Sequence, residues 1–218
     1  MHNEHKPTQA LEDIKQMMDR GSRFVSLSGW SGVAAGICGL VAAWLASRMF
    51  SEYEISESEY SNPGYIADGN FLQLERDLLI LAVITFIAAF SFAFLFTWLR
   101  SRKTGVAVWG FTARKVIINV AVPMIIGGMF ILRLLQPGSF GLVVPAALLF
   151  YGLALINGSK FTVSEVRYLG YSELILGIIS LWVIGYPLHF WAAGFGVLHI
   201  LYGIIMWNRY ERNEKTDV

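Results

Sequence analysis

The chain has 218 residues, of which 55% are hydrophobic and only 15% charged, and its mean hydropathy is +0.52. Soluble domains contain about 25% charged residues, so this composition argues against a soluble globular protein and favours a membrane protein. The net charge of +1 excludes a basic surface for nucleic acid, and the single cysteine, Cys38, excludes an intrachain disulfide.

The polar N-terminal segment, residues 1–25, precedes the first apolar stretch. Its apolar residues recur at helical spacing, from Leu11 through Ile14 to Met17 and Met18. This pattern predicts an amphipathic helix on the cytoplasmic side of the membrane. The helix would be either an interfacial lead-in to the first span or a stripe that binds a partner.

Six apolar stretches follow, each near the ~20 residues needed to cross ~30 Å of hydrocarbon. We therefore predict an all-α integral membrane fold of six transmembrane helices over residues 26–208, arranged as three hairpins, with a tail at 209–218. Thr162 and Glu165 fit a capping box that would start the fifth helix. The predicted spans are Ser28–Phe50, Leu78–Leu99, Val116–Leu135, Phe140–Ile156, Leu169–Tyr186 and Leu188–Trp207.

Basic residues are distributed unevenly between the two sides of these spans. Fourteen of the 17 Lys and Arg residues fall on one side, and only Arg48, Arg76 and Arg133 lie near the other. The positive-inside rule then places both termini in the cytoplasm. The loop at residues 51–74 is acidic and contains no cation. It lacks the spacing and turn glycine of a calcium-binding loop, so we expect a solvated outer loop.

The last two hairpins resemble each other in sequence. Met124-Ile125-Ile126-Gly127 matches Leu174-Ile175-Leu176-Gly177 fifty positions later, and Pro137 matches Pro187 at the same offset. The pattern Tyr-Gly-x4-Asn then ends both units, at Asn157 and Asn208. Both units would begin and end inside, which predicts a parallel repeat related by an axis along the membrane normal.

This short Gly-Pro-Gly hairpin, recurring every ~50 residues over Val116–Trp207, resembles the HdeD-like acid-resistance membrane proteins. The resemblance implies a small bacterial protein of six helices in three hairpins, located in the inner membrane. The long acidic loop of the first hairpin departs from that family's short turns. The resemblance therefore bears on architecture and location and implies no activity.

Glu173 and His199 form the main candidate polar pair inside the membrane. Glu173 lies fourteen residues before Pro187 and His199 twelve after it, about 21 and 18 Å from the turn along a helix. The spacing therefore allows a hydrogen bond between them. The pair would be either a proton-responsive or substrate site, or a packing hydrogen bond without further function, or Glu173 would instead extend to the cytoplasmic interface.

Other residues are secondary candidates or predicted packing positions. Arg133, near the outer end of the third span, could pair with Glu75 or Asp77 or extend to the outer headgroups. Small residues in the spans let helices approach closely, either within the protein or in a homodimer. On the sixth span, Ala192, Gly196, His199 and Gly203 are expected to face the fifth. The predicted packing glycines are Gly29, Gly32, Gly36, Gly39, Gly177, Gly196 and Gly203.

No sequence motif names a nucleophile, a metal cage or a phosphate loop, and we predict no catalytic residue, metal site or cofactor. The leading hypothesis is a non-catalytic inner-membrane protein with a stress-related, regulatory or partner-binding role. The alternative is a small proton-linked transporter or channel that uses Glu173 and His199. The expected partners are the lipid bilayer, a second copy of the chain, or a membrane or cytoplasmic protein, and not nucleic acid.

Overall fold

The computed structural model describes residues 28–62, 69–104, 110–135 and 139–212. These residues form helices and contain no strand, and short 3-10 turns flank α5 at Phe140–Leu142 and Ser159–Phe161. The predicted amphipathic segment at 1–25 lies outside the described residues. The helices are α1 Gly29–Glu52, α2 Glu57–Tyr60, α3 Gly69–Thr104, α4 Phe111–Leu134, α5 Val143–Gly158, α6 Glu165–Trp182 and α7 Pro187–Glu211.

Five of the described helices are long and apolar enough to cross a membrane. They are α1, α3, α4, α5 with its flanking 3-10 turns, and α7. The structure thus confirms an all-α chain with several helices of membrane-spanning length and composition. The remaining long helix, α6, carries Glu165, Arg167 and Glu173 within its 18 residues, so composition alone does not class it as a span.

The end of the bundle that carries the acidic loop contains helical structure and a packed apolar cluster. α3 begins at Gly69, well before the predicted Leu78, because Phe71 and Leu74 are fully buried there. They pack in an aromatic cluster with Phe50, Tyr60 and Phe140, in which the Phe71 and Phe140 ring centroids are 4.7 Å apart. α2 lies within the predicted loop, and a capping box between Ser56 and Glu59 stabilises its N-terminus. The described part of the acidic loop therefore covers this apolar cluster.

The predicted capping box at the start of α6 is wrong. Ser164, not Thr162, is the N-cap residue, and it makes no side-chain cap bond. The Glu165 carboxylate instead contacts α7. The Tyr210 hydroxyl donates a hydrogen bond of 3.0 Å to it, and Arg209 forms an ion pair with it at 2.7 Å. A charge-assisted contact between helices has replaced the local cap.

The helices pack in the spatial order α3, α1, α7, α6, α5, α4. α1 packs along both α3 and α7, and α5 packs along both α4 and α6. α3 and α4 stand at the two ends of this series and share no extensive contact. Among the residues that the structure describes, a gap therefore remains between these two helices.

The glycines of α1 face α7. An added Cβ at Gly36 would lie 2.6 Å from the Gly196 carbonyl oxygen, and one at Gly203 would lie 2.6 Å from the Gly29 carbonyl oxygen. Gly32 and Gly39 make similar approaches to α7. Close backbone contact of this kind is what small residues permit in membrane helices.

The expectation that Gly196 and Gly203 face α6 is therefore wrong. The segment Ala192–Leu198 is a π-helix, whose wider turns shift the helix face by comparison with a regular α-helix. Gly194 faces α6 as a result, and Gly196 and Gly203 face α1. Gly177 of α6 packs on Leu148 and Leu149 of α5.

The two hairpins of the predicted repeat pair their helices differently. α4 and α5 pack on each other, whereas α6 packs mainly on α5 and α7 mainly on α1. This difference counts against two superposable units. The repeat in sequence stays a prediction.

Candidate functional site

Glu173 lies at the centre of the candidate site, on the face of α6 that points into the bundle. Its side chain is 0% exposed. The nearest basic atom is Nδ1 of His199, 3.5 Å from Glu173 Oε1. Neither carboxyl oxygen has a hydrogen-bond partner among the described residues. The two residues are therefore neighbours, but the expected hydrogen bond between them is not formed.

His199 is already fully engaged, which explains why it leaves Glu173 unbonded. Its Nδ1 lies 2.9 Å from the carbonyl oxygen of Gly194, and its Nε2 lies 2.7 Å from the hydroxyl of Tyr151. A carbonyl oxygen only accepts, so this pattern assigns the proton to Nδ1 and makes Nε2 the acceptor for Tyr151. A neutral imidazole thus satisfies both of its nitrogens without Glu173.

Close packing surrounds the Glu173 side of the polar cluster that Glu173, His199 and Tyr151 form. A Cβ added at Gly194 would lie 2.7 Å from Glu173 Oε2 and 2.5 Å from Leu148. Only a glycine at this position lets α7 approach the carboxyl group. The rings of Tyr151 and His199 stack with centroids 5.4 Å apart, which fixes the orientation of the imidazole.

The arrangement can exist in two protonation states. A carboxylate buried without a partner is costly, whereas a neutral carboxyl group is much cheaper to bury. If Glu173 loses its proton and His199 gains one, the new N–H is at Nε2, because Nδ1 already carries a proton. The Tyr151 hydroxyl must then turn from donor to acceptor, and the imidazolium and the carboxylate attract each other across 3.5 Å. The Nδ1 proton would be shared between the Gly194 carbonyl and Glu173.

A cavity of about 240 Å³ reaches this cluster from the gap between α3 and α4. Its lining includes His199 and Tyr151, and also Phe86 of α3 and Gly128 of α4. Glu173 does not line it and lies behind the imidazole. His199 thus separates the buried acid from the cavity.

Arg133 lies away from this cluster, exposed on the last turn of α4. Asp77, one of its two expected partners, accepts a hydrogen bond from the Tyr53 hydroxyl at 2.6 Å and pairs with Arg76 at 3.0 Å. The structure therefore does not join Arg133 to the Glu173 site.

A second polar cluster, which the sequence did not predict, lies at the opposite end of the bundle from the aromatic one. Glu211 accepts hydrogen bonds from the backbone amide of Gly29, from Ser28 Oγ at 3.0 Å and from Arg100 Nη1 at 3.0 Å. It therefore caps α1 while tying α3 to α7. The sequence predicts a tail from residue 209 onward, whereas α7 continues to Glu211. A residue in a tail is not expected to contact other helices, so these contacts of Glu211 were not predicted.

Among the residues that the structure describes, no three His, Cys, Asp or Glu side chains come together to hold a metal ion. The chain matches no family model, and comparisons with curated proteins and with solved structures return no match.

Proposed function

We propose that this chain is a non-catalytic, regulatory protein of the bacterial inner membrane that responds to protonation. One observation carries the proposal: Glu173 is completely buried, lacks a hydrogen-bond partner among the described residues, and lies 3.5 Å from an imidazole. A group this costly to ionise in place makes the packing of α6 sensitive to its own protonation state. Such a device suits a stress-related role, and it needs no reaction at the site.

The proposal includes six membrane spans, with α6 as the fifth. α6 packs closely along α5, as shown by Gly152, where an added Cβ would lie 2.8 Å from the Gly170 carbonyl oxygen. The charges of α6 are also shielded. Glu165 is paired with Arg209, and Arg167 donates to Ser159 at the same end of the bundle. Only Glu173 would lie within the hydrocarbon layer, and it faces protein.

Both termini are proposed to lie in the cytoplasm. The cations counted in the sequence support this, because Arg100, Arg167 and Arg209 all lie at the Glu211 end of the bundle. The acidic aromatic end, with Glu57 and Glu59, would then face outward.

Protonation would act through the groups that face Glu173. These are His199 from α7 and Tyr151 from α5, and Tyr202 is close enough to interact electrostatically with Tyr151. Ionisation of Glu173 together with protonation of His199 at Nε2, the nitrogen that contacts Tyr151, would create an ion pair in the contact between α6 and α7. The balance between the Gly194 bond and this ion pair would then set how tightly the two helices pack.

The test is the pH dependence of thermal stability, measured on the full chain in lipid nanodiscs. We expect the midpoint of unfolding of the wild-type protein to change between pH 5 and pH 8, and Glu173→Gln to remove that change while the protein still folds. Glu52→Gln is the matched control, because Glu52 is exposed at the end of α1. An unchanged pH profile in Glu173→Gln would overturn the proposal and leave Glu173 as a packing residue.

A small proton-linked transporter or channel is the second candidate, and the cavity that reaches His199 favours it. In that case a water-filled path must open to Glu173. Proteoliposomes with an enclosed pH dye would show proton-coupled flux that Glu173→Gln and His199→Gln both abolish. Absence of any proton flux in the wild-type protein would rule out proton conduction.

A further inference from the structure

A second cavity, of about 180 Å³, adjoins the one that reaches His199. The two share Ile131 of α4, Ala147 of α5 and Trp191 of α7 as lining residues. We call the two adjoining cavities the lateral cleft; the residues of α3 that line it run from Glu75 to Ala89, a length of about 21 Å at the helical rise. The cleft is therefore elongated parallel to the helices.

The cleft opens sideways, between α3 and α4. Both helices expose apolar side chains beside the mouth: Ile84 is 58% exposed, Phe90 64% and Met129 68%. Helices with this surface face hydrocarbon when they span a bilayer. An occupant that enters through the mouth must therefore come from the membrane and not from water.

Polar side chains interrupt the apolar lining at several points, Tyr60 and Glu75 in the outer cavity and Thr85, Tyr151 and His199 in the inner one. Among the described lining residues, Glu75 alone carries a carboxyl group, and it forms no ion pair with any of the residues described. Trp191, in the first turns of α7, lines both cavities with its ring, while its indole Nε1 is covered by protein.

The carboxyl group of Glu75 within a mostly apolar lining matches one kind of molecule. A carboxylate accepts hydrogen bonds from a primary ammonium headgroup, and the apolar lining complements a hydrocarbon chain. We propose that the lateral cleft binds a bilayer phospholipid with a primary ammonium headgroup. Its ammonium faces Glu75, and one acyl chain extends past the Trp191 ring toward Gly127 and Gly128.

A substitution that fills the cleft can be chosen from the open space around its lining residues. A Cβ added at Gly128 would meet nothing within 4 Å, yet Gly128 lines the inner cavity. Gly128→Trp therefore adds a large side chain at the lining of the inner cavity, with a Cβ that meets no neighbour. Met129→Trp is the matched control, because Met129 is the next residue of α4 and is 68% exposed.

The experiment is native mass spectrometry of the full chain released from nanodiscs that contain equal amounts of phosphatidylethanolamine and phosphatidylglycerol. We expect the wild-type protein and Met129→Trp to retain one phosphatidylethanolamine at least tenfold over phosphatidylglycerol. Gly128→Trp should retain neither lipid. Glu75→Gln should keep a bound lipid but lose the tenfold preference.

Several outcomes would overturn the proposal. They are a wild-type protein that carries no lipid, a Gly128→Trp variant that retains lipid as the wild type does, or a dimer in which a second copy fills the cleft. Quenching of tryptophan fluorescence by phospholipids brominated on the acyl chain gives a test without Gly128→Trp. Trp191→Phe should remove part of the quenching, and equal quenching of both proteins would also refute a chain beside Trp191.

Discussion

The side-chain amide of Asn157, at the end of α5, donates a hydrogen bond of 2.9 Å to the backbone carbonyl oxygen of Asn119 in α4. Pro123 lies four residues after Asn119, inside α4, and has no N–H to donate to that carbonyl. Asn157 therefore supplies the hydrogen bond that the proline removes. Membrane helices tolerate an internal proline when a neighbouring helix satisfies the freed backbone group in this way.

The first prediction follows from this contact. Asn157→Ala should lower the free energy of unfolding by about 1–3 kcal/mol, the usual cost of leaving one buried polar group unpaired. Pro123→Ala restores an N–H to α4, so the same Asn157→Ala change should cost much less in that background. The measurement is a double-mutant cycle, in which the free energy of unfolding is determined for the wild type, the two single variants and the double variant. Equal costs in both backgrounds would show that Asn157 does not act through the Asn119 carbonyl.

The second prediction concerns the contact between α1 and α7. Gly36→Ala should destabilise the protein strongly, because the new Cβ would lie 2.6 Å from both the Gly196 carbonyl oxygen and the Ile200 side chain. Gly128→Ala is the control, since its Cβ would meet nothing within 4 Å and alanine is about 1 kcal/mol better than glycine in a helix. Thermal unfolding in one detergent compares the two. A Gly36→Ala variant as stable as Gly128→Ala would contradict this packing.

The third prediction is the topology. In a background where Cys38 is replaced by serine, single cysteines at Ser58 and Lys103 should react with a membrane-impermeant maleimide from opposite sides of the inner membrane. Both positions are exposed, Ser58 in α2 and Lys103 near the end of α3. Spheroplasts with and without permeabilisation separate the two sides. Labelling of both cysteines from one side would sink the six-span arrangement.

The fourth prediction concerns the capping box of α2. The Glu59 carboxylate accepts hydrogen bonds from the backbone amide of Ser56 and from the Ser56 hydroxyl. Both lower the pKa of Glu59, and the backbone bond has the larger effect. A lowered pKa in the folded state means that the cap stabilises α2 above the unfolded pKa of Glu59 and is lost as the pH falls through the folded value. Amide hydrogen exchange in α2 should therefore quicken at acid pH. Glu59→Gln should exchange with a weaker pH dependence, after correction for the intrinsic rate.

The amino-acid sequence by itself determined the class of the protein and the approximate position of its helices. Apolar stretches of span length are unmistakable, because hydrocarbon excludes charged and unpaired polar groups. α1, predicted at Ser28–Phe50, is found at Gly29–Glu52. The approach of Glu173 to His199 also followed from sequence, since two helices joined by a tight turn at Pro187 bring residues at equal depth together.

The tertiary structure alone decided which helix faces which. The π-helix at Ala192–Leu198 turns Gly194 toward Glu173 and Gly196 toward α1, and residue spacing for a regular helix cannot show this change of face. It also decided that His199 bonds to Gly194 and Tyr151 and leaves Glu173 unpaired. The exact ends of the helices could not be predicted from the sequence either, because Phe71, Glu165 and Glu211 contact residues that are distant in sequence. Hydropathy measures the preference of each segment for lipid, whereas these contacts depend on how separate segments pack.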